Sequence, residues 1–169
     1  WSKSSGKLAT INADQITVWN TLTGTELNHY IGLISPYSGV NSIAWNPTGE
    51  TIAFRLSDGV SIGVWTVDNA NLDRTIPIEL SNLSPENITN IGDVKWSPTG
   101  SKIALMVRKS PFGSDPIMLA RIWDALTGNF QTDVQVYNVN RQPVPSLEWN
   151  FDGQFILAQT NLYAMSWNV

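Results

Sequence analysis

The sequence predicts an all-β fold built from four tandem repeats, and three features support this prediction. The eight tryptophans fall into two regularly spaced series. Each member of the first series is followed by a turn rich in Gly, Ser, Asn or Pro, and then by a short run of strand-forming residues. No segment shows the 3.6-residue apolar period of an amphipathic helix. We therefore expect short strands joined by tight turns.

The tryptophans define the length of the repeat. The first series has spacings of 44, 51 and 53 residues and consists of Trp1, Trp45, Trp96 and Trp149. The second series follows the first by 18, 20, 27 and 18 residues and consists of Trp19, Trp65, Trp123 and Trp167. Because a large aromatic side chain recurs at the same place in every repeat, we expect the tryptophans to fill equivalent positions in the core.

A turn follows each first-series tryptophan, and these turns are Ser4-Ser5-Gly6 and residues 46–49, 97–100 and 150–153. In the second and third turns, Asn or Ser at the first position, Pro at the second and Gly at the fourth favour a type I turn. We expect the second strand to begin with an apolar residue followed by Ala, at Leu8-Ala9, Ile52-Ala53, Ile103-Ala104 and Leu157-Ala158.

The second-series tryptophans end the predicted third strands, at residues 16–19, 62–65, 120–123 and 164–167. Two of these strands continue into nearly the same sequence, Trp19-Asn20-Thr21-Leu22-Thr23-Gly24 and Trp123-Asp124-Ala125-Leu126-Thr127-Gly128. The glycine supplies the positive φ of a tight turn. Fourth strands are predicted at Glu26–Ile31 and Phe130–Tyr137.

Four short antiparallel strands in each repeat of roughly 40–50 residues are typical of the blades of a β-propeller. We expect about four blades, at residues 1–39, 40–90, 91–141 and 142–169. The first blade lacks its first strand and the last blade lacks its fourth, which leaves about fourteen strands. The prediction is therefore an open arc from a larger ring, with exposed sheet edges, rather than a closed ring.

Two strand junctions resemble the WD-repeat family. Ser-Ile-Ala-Trp-Asn-Pro-Thr-Gly (42–49) is similar to that family's first-to-second junction, and Ile-Trp-Asp-Ala-Leu-Thr-Gly (122–128) is similar to its third-to-fourth junction. The resemblance extends over all 169 residues. It implies a ring of about seven blades that scaffolds other proteins.

WD repeats often carry a Gly-His pair before the first strand, and its His hydrogen-bonds an Asp between the second and third strands. This sequence departs from that pattern. Here Gly32 is followed by Leu33, and the single histidine, His29, lies in a fourth strand. The acidic or amide partner persists, at Asp14, Asp58, Asp115 and Asn161. We therefore expect this polar brace to be missing, so that stability depends on tryptophan packing and turns.

Composition excludes several classes of partner. The hydrophobic fraction of 42% against 14% charged residues indicates a globular chain. The net charge of −4 and the pI near 4.8 give no cationic surface for nucleic acid. The longest apolar run, Ile103–Val107, is far shorter than the roughly 20 residues of a membrane-spanning helix. The chain has no cysteine and begins with no leader-like segment, so the sequence leaves its localisation undetermined.

No group of residues predicts catalysis, a metal site or a cofactor. A metal site needs three or four ligands and a triad needs a nucleophile, whereas the chain has one histidine and no cysteine. Its acidic residues lie mostly in turns such as Asp58-Gly59 and Asp152-Gly153. We therefore expect a chain that is not an enzyme. The alternative of an enzyme with its site in the propeller channel would need converging acid-base residues, and the sequence shows no such group.

Six residues are candidates for contact with a partner. Arg55 lies between apolar Phe54 and Leu56. The equivalent positions in the other repeats are Ile11, Met106 and Thr160. The charge of Arg55 must therefore be satisfied by a local ion pair or by a partner. The extended hairpin loop 108–116 is either a binding loop or a neutral insertion. Its candidates are Arg108, Lys109 and Phe112, and Tyr37 and Arg141 lie in loops expected on the same face of the propeller.

The sequence favours a non-catalytic scaffold that binds other proteins or peptides, and the missing blades of the same propeller are further expected partners. The alternative is a TolB-like or peptidase-associated propeller that gates or binds substrate for a neighbouring domain. Its blades share a turn similar to Trp96-Ser97-Pro98-Thr99-Gly100, but their third strands normally lack tryptophan.

Overall fold

The computed structural model describes residues 1–12, 15–32, 42–78, 88–109, 117–136, 146–159 and 164–169, with residues 88–91 described by their backbone alone. These residues form fourteen strands in four antiparallel sheets of three, four, four and three strands. The predicted all-β class is confirmed, and the described residues alone form the expected fourteen strands.

Each sheet is formed by consecutive strands. Sheet 1 contains β1 (Lys7–Asn12), β2 (Gln15–Asn20) and β3 (Glu26–Ile31). Sheet 2 contains β4 (Ile43–Trp45), β5 (Thr51–Arg55), β6 (Ser61–Thr66) and β7 (Arg74–Pro77). Sheet 3 contains β8 (Ile88–Trp96), β9 (Lys102–Lys109), β10 (Ile117–Asp124) and β11 (Phe130–Val136). Sheet 4 contains β12 (Ser146–Trp149), β13 (Phe155–Gln159) and β14 (Ala164–Asn168).

The strands form two compact units. The first, Trp1–Ile78, holds sheets 1 and 2, and the second, Glu79–Val169, holds sheets 3 and 4. Each unit has its own apolar core, one around Phe54 and Trp65 and the other around Met106 and Ile122.

The first turn of each repeat is closed by the same backbone hydrogen bond. The amides of Ser2, Asn46, Ser97 and Asn150 each donate to the carbonyl oxygen five residues later, at 2.8–3.0 Å. In the second repeat the Asn46 side chain also holds the turn, because its Oδ1 accepts hydrogen bonds from the amides of Glu50 and Thr51. The turn of the first repeat therefore begins at Ser2, whereas the prediction placed it at Ser4. Ser2 Oγ holds this turn by accepting from the amides of Ser4 and Ser5.

The turns after β2 and β10 share one geometry, as their nearly identical sequences predict. In both, the glycine amide donates to the carbonyl of the first turn residue at 2.9 Å, from Gly24 to Asn20 and from Gly128 to Asp124. Both glycines have positive φ, 69° and 75°. Local hydrogen bonds therefore shape these turns. The amides of Thr21 and Ala125 also donate to the carbonyl oxygens of Gly6 and Ser101, which lie directly before β1 and β9.

Strand pairing aligns the repeats through the second-series tryptophans. Trp19, Trp65 and Trp123 lie opposite Leu8, Ile52 and Ile103. In sheet 4, Trp167 lies opposite Ile156, so the equivalent pair is Ile156-Leu157. The predicted pair Leu157-Ala158 is wrong by one residue. Four consecutive apolar residues, 155–158, leave the register open in the sequence, and burial of Ile156 and Ala158 decides it.

The corrected register also changes which residue of sheet 4 corresponds to Arg55. Arg55 lies three residues after Ile52, and the residue three after Ile156 is Gln159. Thr160, the predicted equivalent of Arg55, lies outside the described residues.

Each sheet has a face that carries its second-series tryptophan, here named the tryptophan face, and an opposite face. In the first unit, Ala9, Ile16 and Val18 on the opposite face of sheet 1 pack with a cluster that includes Ile52, Phe54 and Trp65 of the tryptophan face of sheet 2. In the second unit, the opposite face of sheet 3 packs in the same way against the tryptophan face of sheet 4, where Trp167 is half-buried. The two units therefore repeat one mode of packing.

The tryptophans are not equally buried, so the expectation that all of them fill equivalent core positions is wrong. Trp65 and Trp123 are fully buried, whereas 78% of Trp1 is exposed. The other five are half-buried. The repeat places each tryptophan on its strand, but burial also requires another part of the chain to cover that position.

Candidate protein-interaction surface

Three of the six predicted contact residues, Tyr37, Phe112 and Arg141, lie outside the described residues. Their role in binding therefore stays a prediction. The structure does describe the hairpin that carries Phe112. Lys109 of β9 lies opposite Ile117 of β10, so residues 110–116 connect the ends of two long paired strands.

Arg108 and Lys109 belong to strand β9, whereas the prediction placed both in the loop. Their strand pairing continues to the end of β9, where Arg108 lies opposite Met118. As neighbours in a strand they belong to different faces of the sheet. Arg108 belongs to the face of the core residue Met106, and Lys109 belongs to the tryptophan face, so the two cations do not form one patch.

Arg55 lies in β5 and is only 6% exposed. Burial lowers the pKa of its guanidinium group, and the negative charge of Asp58 opposes that shift. Asp58 itself belongs to the turn after β5, where its Oδ1 accepts from the amide of Val60 at 2.9 Å. These surroundings support local compensation of the Arg55 charge, and the small exposed area offers little surface to a partner.

The structure reveals an ion pair in sheet 3 that the sequence analysis did not single out. Arg121 Nε donates to Asp133 Oδ1 at 2.8 Å across β10 and β11, and only 7% of the Arg121 side chain is exposed. The guanidinium carbon lies 4.8 Å from the ring centre of Phe130. The signal available in the sequence was an arginine between Ala120 and Ile122 with an acidic residue in the following strand.

The pKa of Asp133 is raised from its ordinary value. Burial of the carboxylate is the largest cause, and it outweighs the opposing effects of the Arg121 charge and hydrogen bond and of the Lys109 charge. For the Asp133 carboxylate, burial therefore has a larger effect than the two positive charges near it.

Among the described residues, the tryptophan face of sheet 1 is partly exposed. A cleft of about 410 Å³ lies beside it, lined by Trp1, Leu8, Thr10, Trp19, Asn20, Thr21 and Gly24. Trp19 Nε1 donates to Thr10 Oγ1 at 2.9 Å, which holds the indole ring along the cleft. An exposed apolar surface of this kind is typical of an interaction site.

Sheet 4 also exposes large apolar side chains, on its opposite face. Phe155 and Leu157 alternate with the buried Ile156 and Ala158 along β13, and they are 39% and 37% exposed. Glu148 of β12 lies opposite Leu157 and forms an ion pair with Lys95 at 2.8 Å.

Within the part of the chain that the structure describes, no group of three or more His, Cys, Asp or Glu side chains is arranged to hold a metal ion. The single histidine, His29, lies in β3 and contacts Glu26 at 2.7 Å. Among the described residues, no helix has the length and apolar character needed to cross a membrane.

No known family model matches the sequence, and no curated protein matches it. Solved structures do match the fold. The β-propeller domain of Cps50 (Swd1) from Myceliophteria thermophila is similar at a TM-score of 0.59 and 13% identity. KlHsv2, with loop 6CD replaced by a Gly-Ser linker, is similar at a TM-score of 0.65 and 18% identity.

These similarities cover 91% and 92% of this chain but only 45% and 46% of the solved chains. The chain thus spans slightly less than half the length of the propellers it matches. Four consecutive antiparallel sheets, each with a tryptophan in the same strand, agree with this likeness. The fold of this chain is therefore that of a β-propeller, as its resemblance to WD repeats predicts.

Proposed function

We propose that this chain is a non-catalytic scaffold that binds other proteins or peptides through loops held by its propeller blades. The observation that supports this most directly is the β9–β10 hairpin, whose pairing extends to Lys109 and Ile117. Loops carried by rigid paired strands are common binding elements, and residues 110–116 are the connection of this hairpin. The connection contains an aromatic residue, Phe112, between Pro111 and Gly113.

Phe112 is the proposed anchor of this surface, and Tyr37, Arg108 and Arg141 are further contacts. Aromatic and arginine side chains dominate binding energy at interfaces because they bury a large area and still form directed contacts. The proposed partners are other proteins or peptides, together with the blades that would complete the propeller, and not nucleic acid or a membrane surface. The net charge of −4 supports the exclusion of nucleic acid.

The scaffold role is favoured over a TolB-like or peptidase-associated role because the third-strand position of every repeat carries tryptophan, which the blades of that alternative normally lack. These tryptophans are Trp19 in β2, Trp65 in β6, Trp123 in β10 and Trp167 in β14. We also propose that the chain itself has no hydrolase, transferase or redox activity, since it has no cysteine and a single histidine. Turnover by the purified chain that disappears in His29→Ala would contradict this.

Selection from a displayed peptide library tests the binding role. Peptides that bind the chain are expected to lose about 1–3 kcal/mol of binding free energy in Phe112→Ala. The control is Phe151→Ala, which removes an aromatic side chain that is 90% exposed in the turn before β13. Equal affinity of Phe112→Ala and the unchanged chain, measured by calorimetry, would show that the loop is not the binding site.

A further inference from the structure

We propose that the edge strand β11 binds an extended peptide segment as an additional strand of sheet 3, with a lysine or arginine of that segment placed against Asp133. The inference rests on the proposed peptide-binding function and assigns a second site, separate in sequence from the loop of Phe112. Sheet 3 ends at β11, which among the described residues pairs with β10 alone. Every second residue of an edge strand directs its backbone N–H and C=O away from the sheet, where they can pair with another chain.

The strand β11 has few of the features by which proteins protect a sheet edge. Its residues, Phe130–Val136, include no proline, lysine or arginine. The edge strand of sheet 2, β7, is shorter and ends at Pro77, which has no N–H to donate. A bulge at Gln131 interrupts β11, and the pairing with β10 is regular from Thr132 to Val136. Residues 132–136 are therefore the part of this edge on which a peptide can pair.

One face of β11 packs on the core of the second unit, and the other face is exposed. Val136 belongs to that core, and Val134 packs against it. The tryptophan face of β11 carries an aromatic, an acidic and an amide side chain, here named the β11 stripe: Phe130, Asp133 and Gln135. Phe130 is 43% exposed, 31% of the Asp133 side chain is exposed, and Gln135 is exposed as well. An added strand would therefore meet a backbone that is packed on the core and a stripe of accessible side chains.

The side chains of the β11 stripe favour a basic peptide. Asp133 Oδ1 accepts from Arg121 Nε at 2.8 Å, and a carboxylate has about four acceptor sites, so a second cation can share it. Burial raises the pKa of Asp133 although the charges of Arg121 and Lys109 oppose the shift, so a further cation would stabilise its charged form. Phe130 adds an apolar contact on the same face. A lysine or arginine between apolar side chains on one face of an extended segment therefore complements the stripe.

A designed peptide tests the edge pairing. The probe is a blocked peptide in which Thr alternates with Val, Lys and Val, so that one face of the extended peptide presents the lysine between two valines. Titration into the isotope-labelled whole chain, followed by NMR, should give saturable shifts of the amides in β11. The same peptide methylated on its backbone nitrogens keeps the side chains but has no N–H to donate, and it should bind about tenfold more weakly or less.

A double-mutant cycle tests the ion pair. Asp133→Asn should weaken binding of the lysine peptide about threefold or more, and it should leave unchanged the binding of a peptide with Met in place of Lys. Asp152→Asn is the matched control, because it removes one negative charge from the second unit while the side-chain oxygen can still accept from the amide of Gln154. Circular dichroism checks that each variant is folded, and the methylated peptide tests the pairing on the unchanged chain.

Three results would overturn the proposal. These are the absence of binding, amide shifts confined to residues outside β11, and equal affinity for the methylated and unmethylated peptides. Equal losses for the Lys and Met peptides in Asp133→Asn would contradict the contact between the lysine and Asp133.

The failures of the two proposals can be distinguished, because Phe112→Ala should leave binding of the designed peptide unchanged. If library peptides depend on Phe112 but the designed peptide does not bind β11, only the β11 site is wrong. If the designed peptide binds β11 and no library peptide depends on Phe112, only the loop-binding role is contradicted.

Discussion

Arg121 and Asp133, which are twelve residues apart in the sequence, form an ion pair of 2.8 Å across neighbouring strands of sheet 3. Arg121 also lies over the rings of Phe130 and Trp123, with 4.8 Å and 6.0 Å from its guanidinium carbon to the ring centres. The arginine therefore compensates a partly buried carboxylate and packs against two aromatic side chains at once.

Replacing Arg121 should destabilise the second unit. In Arg121→Met the apolar stem is largely kept, but Asp133 loses the cation beside it while staying partly desolvated. We expect the free energy of unfolding, measured with denaturant, to fall by about 2–4 kcal/mol. Lys3→Met removes an exposed cation and is the control. A loss below about 0.5 kcal/mol would mean that the pair contributes nothing to stability.

Asp133 should make stability depend on pH in a direction opposite to that of most acidic residues. Its pKa is raised in the folded chain, so the folded state binds more protons than the unfolded state. As pH rises above about 4 and through the folded pKa, its contribution to stability therefore falls. As pH is lowered, that stability returns.

The difference in unfolding free energy between the unchanged chain and Asp133→Asn, measured from pH 3.5 to pH 7, isolates this residue. The difference should decrease as pH rises. In an Arg121→Met background the decrease should be larger, because the opposing positive charge is gone. A difference that increases with pH would show that the Arg121 charge outweighs burial.

Gly49 should tolerate a side chain less well than Gly24. Both have positive φ, 74° and 69°, so the backbone strain of an alanine is similar, about 1 kcal/mol. A Cβ at Gly49 would also lie 2.2 Å from Ser2 Oγ and 2.4 Å from Ser5 Oγ, whereas nothing lies within 4 Å of a Cβ at Gly24.

We therefore expect Gly49→Ala to cost about 1–2 kcal/mol more than Gly24→Ala in thermal or denaturant unfolding. Equal losses would mean that the serines of the first turn move aside without cost. Because Ser2 and Ser5 hold that turn, such movement should also be visible as faster amide exchange at Ser4 and Ser5.

The tryptophans at equivalent repeat positions should contribute unequally to stability. Trp65 is fully buried and lies 5.8 Å from the ring of Tyr30, so Trp65→Ala should cost about 3–5 kcal/mol. Trp1 is 78% exposed, and Trp1→Ala should cost less than about 0.5 kcal/mol in the isolated chain. Similar losses at the two positions, measured by denaturant unfolding, would contradict the difference in burial.

The turns and most strands follow from the sequence because their determining contacts are local. β3 spans the predicted Glu26–Ile31, and β11 follows its predicted range from Phe130 to Val136, the last residue described there. In the turn after β2, Asn20 Oδ1 accepts from the amides of Leu22 and Thr23, so three neighbouring residues set the backbone. The same bonds recur at Asp124, where the sequence is nearly the same.

The tertiary structure alone decided which side chains are buried and which residues pair across strands. Ile156 and Leu157 are both apolar, and only the pairing of Ile156 with Trp167 shows which of them enters the core. The burial of Trp65 and the exposure of Trp1 likewise depend on what covers each position, which the spacing of the repeat does not contain. Turn chemistry acts over a few residues, whereas burial is a property of surfaces that meet only after the sheets have packed.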